Sequence, residues 1–159
     1  MDEIDRKILG MLQRDGSTPY AELGLSVGLS ASAINDRLKR LKAKGALRRI
    51  SAEVAPEALD LTCLVFVLVE LGELRCEPAF LAAMRAAPEV LECHHVAGDY
   101  SYILKVRLSG MSHLERFLST RIKSLEGIRR THSLITLSSV KETHELDTGV
   151  ETATIGAGA

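Results

Sequence analysis

The sequence predicts an α+β fold, with an N-terminal helix-turn-helix domain followed by a C-terminal ferredoxin-like βαββαβ domain. Apolar residues recur at helical spacing through the N-terminal part, and a strand-helix-strand pattern then occurs twice in succession. The charge also changes sign along the chain. Residues 1–49 hold ten Lys/Arg and six Asp/Glu, whereas residues 50–159 hold ten and fifteen. Together these observations indicate two domains with different partners.

The composition is that of an ordinary globular protein. The chain is 46% hydrophobic with a formal net charge of −1, and it contains no run of about 18 apolar residues. Its start, MDEIDRKIL, lacks the basic-then-apolar order of a signal peptide, so we expect a cytoplasmic protein. Cys63, Cys76 and Cys93 are odd in number and show no CxxC spacing. That pattern argues against a disulfide framework or a zinc site.

The first two helices follow from apolar spacing and end signals. Apolar residues within segment 4–12 predict a helix over residues 2–14. Thr18 is expected to cap a short second helix, with Pro19 in its first turn and its end at Gly28.

A third helix is predicted to begin after Ser30, its N-cap, and to stop at Gly45. Its inward face carries Ile34, Leu38 and Leu41 at i, i+4 and i+7. Three short helices joined by tight turns therefore make a small core.

The outer face of the third helix is small and polar at its start and basic farther along. Six Lys or Arg stand against one acidic residue between Ser32 and Arg48. A helix-turn-helix needs this order, because base edges tolerate little bulk at the first turn and later cations reach phosphates. A solvated charged helix face is the alternative that the pattern alone leaves open.

These features predict a DNA contact surface. Ser32, Asn35 and Asp36 are expected near base edges, while Arg37 either contacts DNA or pairs with Asp36. The expected phosphate contacts are Lys39, Arg40, Lys42, Lys44, Arg48 and Arg49.

The chain resembles the Lrp/AsnC (leucine-responsive/asparagine-type) transcription regulators up to about residue 142. The likeness lies in the segments DEIDRKILGMLQRDG, ELGLSVGLSASAINDRLKRLKAKGAL and VAGDYSYILKVRL. It departs at Pro19, where the family often has a Ser that forms a capping box with the residue equivalent to Glu22. The resemblance implies a sequence-specific DNA-binding regulator that responds to an amino acid or related metabolite, and not an enzyme.

The remaining chain divides into a linker, a repeat and a tail. Residues 50–61 read as a linker with a break at Pro56, and residues 62–142 hold the repeat. The tail, residues 143–159, is biased to Gly, Ala and Thr, and we expect it to be disordered.

Each half of the repeat is a strand-helix-strand unit. The pair predicts a four-stranded antiparallel sheet with two helices on one face, and a capping box from Ser112 to Glu115 is expected to start the second helix. Both sides of the first strand are apolar, with Val65, Val67 and Val69 on one side and Leu64, Phe66 and Leu68 on the other. A second apolar side predicts a homodimer packed sheet against sheet. The resemblance implies the same dimer, and often octamers.

The repeat offers little catalytic or metal-binding chemistry. His94 and His95 are consecutive on a strand, so they point to opposite faces, and His132 on a possible neighbouring strand completes no metal set. We therefore expect no metal site, no cofactor and no catalytic residue.

Two other functions are compatible with the two-domain plan. Siroheme decarboxylases share it and often an RRI linker, here Arg48 to Ile50, but their expected aromatic run is absent and the chain has no Trp. An architectural protein that coats or bends DNA without an effector is the second alternative.

The segment VAGDYSY, Val96 to Tyr102, is the candidate effector loop. Gly98 permits a turn with positive φ and leaves backbone N–H groups open to a ligand. By resemblance, this loop and the last strand form an amino-acid pocket between dimers, whose residues would be Gly98, Asp99, Tyr100, Ser101, Ser133 and Thr136. The family commonly has Asp where this chain has Ser101, which predicts a different ligand or weaker binding, since a lost charge-assisted hydrogen bond costs about 1.5–3 kcal/mol.

Overall fold

The computed structural model describes residues 1–150, and within them the chain forms two compact units. Among the described residues, one unit contains residues 1–53 together with residues 141–150, and the other contains residues 54–140. The expected order of helices, then strands and helices in alternation, is confirmed.

The first unit is built from three helices, α1 (Glu3–Arg14), α2 (Tyr20–Val27) and α3 (Ala31–Ala43). Their apolar faces meet in one core that buries Ile8, Leu23 and Ile34 completely. Burial of this kind is the main source of helix stability in such short elements.

The helix ends explain where each helix starts and stops. Asp2 and Asp5 form a reciprocal capping box at α1. Ser30 accepts a hydrogen bond from the N–H of Ala33 at α3, as expected. Gly28 ends α2 in the left-handed conformation, with φ +70°, which glycine adopts at no steric cost.

The prediction that Thr18 caps α2 is wrong. Pro19 is the N-cap residue, and the Thr18 hydroxyl instead donates backwards to the Asp15 carbonyl. The Pro19 carbonyl accepts from the N–H groups of Glu22 and Leu23, so α2 begins without a side-chain cap.

The second unit contains β1 (Cys63–Leu71), α4 (Glu77–Ala86), β2 (Val90–His95), β3 (Tyr102–Leu108), α5 (Met111–Phe117) and β4 (Ile128–Ile135). The strands form an antiparallel sheet in the order β2-β3-β1-β4, which confirms the ferredoxin-like topology. A short 3₁₀ turn, Pro56–Leu59, interrupts the extended chain that precedes β1.

One face of this sheet packs against α4 and α5. Val65, Val67 and Leu104 are fully buried there beneath Phe80 of α4 and Phe117 of α5. These side chains form the largest core of the described chain and fix the sheet register by keeping one set of alternating residues out of water.

The predicted capping box at Ser112 and Glu115 is wrong. The N-cap of α5 is Gly110, which makes no side-chain hydrogen bond and has φ +153°. Ser112 lies inside the helix, two residues after the N-cap position. The helix continues into a π-helical turn, Leu118–Ile122, that the apolar spacing did not indicate.

Candidate nucleic-acid interface and ligand loop

The outer face of α3 is exposed from its first turn to its last. Ser32, Asp36, Lys39 and Arg40 are all exposed, and Asn35 is partly buried at the edge of the face. Lys39 and Asp36 lie 3.9 Å apart at their charged atoms, with 70% and 75% of the side chains exposed. Such a surface pair is weak, so both side chains are free to meet a partner.

Arg37 has a different environment from the other cations of α3. Its Nη1 donates to Oδ2 of Asp2 and to Oδ1 of Asp5, both at 2.7 Å, and only 18% of its side chain is exposed. Hydrogen bonds from Asp2 and Asp5 raise the pKa of Arg37, and the same contact lowers the pKa of Asp2. Arg37 thus joins α3 to the start of α1 and does not pair with Asp36.

The basic surface continues beyond the end of α3. Gly45 has φ +70°, and the N–H groups of Ala46 and Leu47 both donate to the Leu41 carbonyl. This turn leads the chain away from the helix. The exposed cations of this surface are Lys39, Arg40, Lys42, Lys44, Arg48 and Arg49.

The candidate ligand loop connects β2 to β3. The N–H of Val96 donates to the Ser101 carbonyl at 3.0 Å, which closes the loop, and Gly98 has the positive φ that was expected, +153°. Gly98 and Asp99 are exposed at the tip. The loop therefore presents backbone groups and one carboxylate to solvent.

Ser101 joins the loop to β1 by hydrogen bonds. Its Oγ accepts from the N–H of Leu71 at 3.1 Å, and its own N–H donates to the Val69 carbonyl at 2.9 Å. Its hydroxyl therefore already has a backbone partner at the position where the resemblance implies a ligand contact.

Two side chains of β4 that the sequence did not indicate, Arg130 and His132, lie beside Tyr100 of the loop. The guanidinium of Arg130 is 4.6 Å from the centre of the Tyr100 ring, and the His132 ring centre is 6.4 Å from it. Glu70 accepts from Arg130 at 3.0 Å and lies 3.2 Å from Arg129. Arg130 and His132 are two residues apart on β4, so alternation places both on the same side of the sheet. Their closeness to Tyr100 depends on how the strands are paired, which the sequence pattern does not show.

Thr136 is distant from the loop of the same chain, and Ser133 is the residue after His132 on β4. Ser133 is opposite Val67, and the N–H of Thr136 bonds the Leu64 carbonyl, whereas the loop joins the other end of β1 near Val69. At about 3.4 Å per residue, the loop and Thr136 are separated by most of the length of β1. Within one chain, Thr136 and the loop therefore do not form one pocket.

The histidines of the sheet make ordinary polar contacts. His94 lies 3.0 Å from Glu92, and His94 and Lys105 together lower the pKa of that carboxylate, with the His94 hydrogen bond the larger cause. His95 stacks on Tyr102 at 4.9 Å. The idea that His132 is next to them is wrong, because β4 and β2 are at opposite edges of the sheet. Among residues 1–150, no group of three or more His, Cys, Asp or Glu could hold a metal ion.

The arrangement defines a class of protein: a DNA-binding regulator with a helix-turn-helix unit and a ferredoxin-like unit that carries the candidate ligand loop. Two family profiles match it. The AsnC-type helix-turn-helix domain matches residues 1–42, and the Lrp/AsnC ligand binding domain matches residues 62–146. This chain belongs to the Lrp/AsnC family of transcriptional regulators.

Relatives from archaea and bacteria cover nearly the whole chain. The HTH-type transcriptional regulator FL11 of Pyrococcus furiosus is 36% identical over 146 residues, which is 92% of this chain and 95% of the relative. The leucine-responsive regulatory protein of Haemophilus influenzae is 37% identical over 150 residues, or 92% of this chain and 89% of the relative.

Solved structures of the family show the same fold. A transcriptional regulator of Neisseria meningitidis in complex with L-Met has a TM-score of 0.87 at 31% identity, covering 92% of this chain and 96% of that one. An AsnC family regulator of Agrobacterium tumefaciens has a TM-score of 0.88 at 30% identity, covering 94% and 98%. Within the described residues, no helix is both long and apolar enough to span a membrane.

Proposed function

We propose that this regulator binds double-stranded DNA as a homodimer, with α3 in the major groove, and that an amino acid or related small metabolite controls it from the loop Val96–Ser101. The observation that carries the proposal is the exposed face of α3, with small polar residues at its first turn and cations after it. This order suits base edges first and phosphates second.

The contacts divide into two groups by chemistry. Ser32, Asn35 and Asp36 lie at the start of α3 and would read bases. The exposed cations, Lys39 to Arg49, would neutralise phosphates. Arg37 is the weakest of the proposed contacts, because Asp2 and Asp5 already hold its guanidinium.

The effector proposal depends on the loop and on the family. The Neisseria relative was solved with L-Met, and other relatives are named leucine-responsive, so an amino acid is the ligand class that we infer. The exposed Asp99 carboxylate suits its ammonium group, and open backbone N–H groups near Gly98 suit its carboxylate. Ser133 and Thr136 would come from a neighbouring chain.

The dimer proposal rests on the sheet face that α4 and α5 leave open. Phe66, Leu68 and Ile103 are only half-buried on this face, and Leu134 is 48% exposed. A second copy would cover these side chains and pair two α3 helices for a two-fold site. Larger assemblies such as an octamer would then contain the ligand pockets. The domain limits that we propose are residues 1–49, 50–61 and 62–142, followed by a tail, residues 143–159, of which residues 151–159 lie outside the described part of the chain.

A selection of bound fragments from the source genome tests the function. We expect wild-type protein to enrich a shared two-fold motif, and Ser32→Ala to alter the preferred bases while Ser119→Ala, in α5's continuation, leaves them unchanged. Enrichment without any shared motif would favour the architectural alternative.

The regulator would act in the cytoplasm. We propose no catalytic activity for it. An enzyme of the siroheme decarboxylase type would bind an iron porphyrin. We expect no Soret shift when the purified protein is mixed with one, and a saturable shift would support the enzyme instead.

A further inference from the structure

The outer side of α1 carries three residues on one helical face. Arg6, Gly10 and Gln13 follow each other at i, i+4 and i+7, on the side opposite the buried Ile8 and Leu12.

An extended segment from the C-terminal part of the chain lies along this face. The side-chain amide of Gln13 donates to the Leu146 carbonyl at 3.0 Å and accepts from the Leu146 N–H at 2.7 Å. One side chain thus satisfies both backbone groups of one residue, as a neighbouring strand would. Two helical turns earlier, Nη1 of Arg6 donates to the Thr148 carbonyl at 2.9 Å.

Gly10 lies between these two contacts. A glycine inside a helix is unfavourable relative to alanine, and here it is buried although it faces away from the helix core. Gly10 lines a cavity of about 290 Å³ together with Gln13, Arg14 and the segment 141–150. Because it has no side chain, Gly10 adds no bulk to the lining of this cavity.

We propose that the outer face of α1 is a docking site whose occupant is the chain's own segment 141–150, and we call this segment the strap. It is held by hydrogen bonds to its backbone, since Leu146 is 77% exposed and contributes little apolar burial. An Asx-type bond from the Gly149 N–H to Asp147, with Gly149 at φ +68°, turns the chain at its end.

The strap belongs to the same compact unit as α1, α2 and α3. The chain leaves this unit at residue 53, forms residues 54–140, and returns at residue 141 shortly after β4. Hydrogen bonds made by an exposed segment can open without unfolding of the core, so we expect the strap to detach from α1 and to dock again. This inference does not depend on DNA binding, and the two can fail separately.

Amide hydrogen exchange in the full-length protein tests the strap directly. We expect the Leu146 N–H to be protected in wild-type protein, and Gln13→Ala to speed its exchange by at least about tenfold. Lys7→Ala is the matched control, because Lys7 lies on the same helix and forms an ion pair with Glu3 of α1 itself. The control should leave Leu146 protected.

The same data show whether the variant is folded. Amides of α1 and α3 should stay protected in Gln13→Ala, so that a local loss at Leu146 is a release of the strap. The inference is overturned if Leu146 exchanges at the rate of an unstructured peptide in wild-type protein, or if Gln13→Ala leaves its protection unchanged.

Discussion

Two arginines of α3, Arg37 and Arg40, show how position decides the role of a residue type. Arg37 faces α1 and is held by Asp2 and Asp5, whereas Arg40 is exposed on the outer face. A count of basic residues in the helix does not distinguish Arg37 from Arg40. The capping box of α1 explains the difference, because the two acids that begin α1 also receive Arg37.

The first prediction separates these two roles. Arg37→Met should lower the free energy of unfolding by about 1–2 kcal/mol, because Asp5 is buried and loses its charged partner. Arg40→Met should change it by less than about 0.5 kcal/mol, as for most surface substitutions. Urea unfolding followed by circular dichroism measures both. Equal effects of the two variants would refute the structural role of Arg37.

The same contact predicts a pH dependence. The Arg37 hydrogen bond holds the pKa of Asp2 below 3.8, so the folded state is stabilised while Asp2 is charged and loses that stabilisation as the pH falls through the lowered pKa. Asp2→Asn should therefore be less stable than wild type at pH 7, and the two should converge under acid conditions. A stability difference that stays constant from neutral to acid pH would contradict this.

At the scale of elements, the sequence predicted the helices and strands well because their apolar periods are regular. The capping of α3 by Ser30 and the apolar character of β1 followed from local signals. Thr18 and Ser112 failed as caps, since a capping signature is short and cannot show which residue leaves the helical conformation first. Apolar periodicity could not predict two of the contacts. Tyr100 meets Arg130 because of the strand register, and α1 meets the strap although the two are far apart in sequence.

The ligand loop gives a prediction at this scale. Gly98→Val should abolish the response to an amino acid while DNA binding is retained, because a branched side chain is strained at φ +153°. Ala97→Val, next to it in the same exposed loop, adds bulk where the structure records no positive φ and should keep the response. Calorimetry with the common amino acids, and assembly size in their presence, measure the effect. If wild-type protein shows neither heat nor a size change with any of them, the loop is only a turn and the architectural alternative replaces the regulator.

At the scale of the whole molecule, the open sheet face predicts the assembly. Phe66→Asp places a charge in the proposed dimer contact and should give a monomer, since an unpaired charge is costly to bury. Phe66 points away from α4 and α5, so the fold should survive. Leu137→Asp, at a fully exposed position, is the control. Light scattering at micromolar concentration gives the answer, and a monomeric wild-type protein would rule out the dimer.

The central claim is that α3 is the element that binds DNA, and the salt dependence of binding tests it most directly. Fluorescence anisotropy with a bound fragment should give a linear fall of the logarithm of affinity with the logarithm of salt concentration. Lys39→Ala and Arg40→Ala should each weaken binding to every sequence and reduce the slope by about one unit, whereas Lys123→Ala, in the ferredoxin-like unit, should change neither. Unchanged affinity and slope in both α3 variants would show that α3 does not contact the phosphates, and would contradict the account.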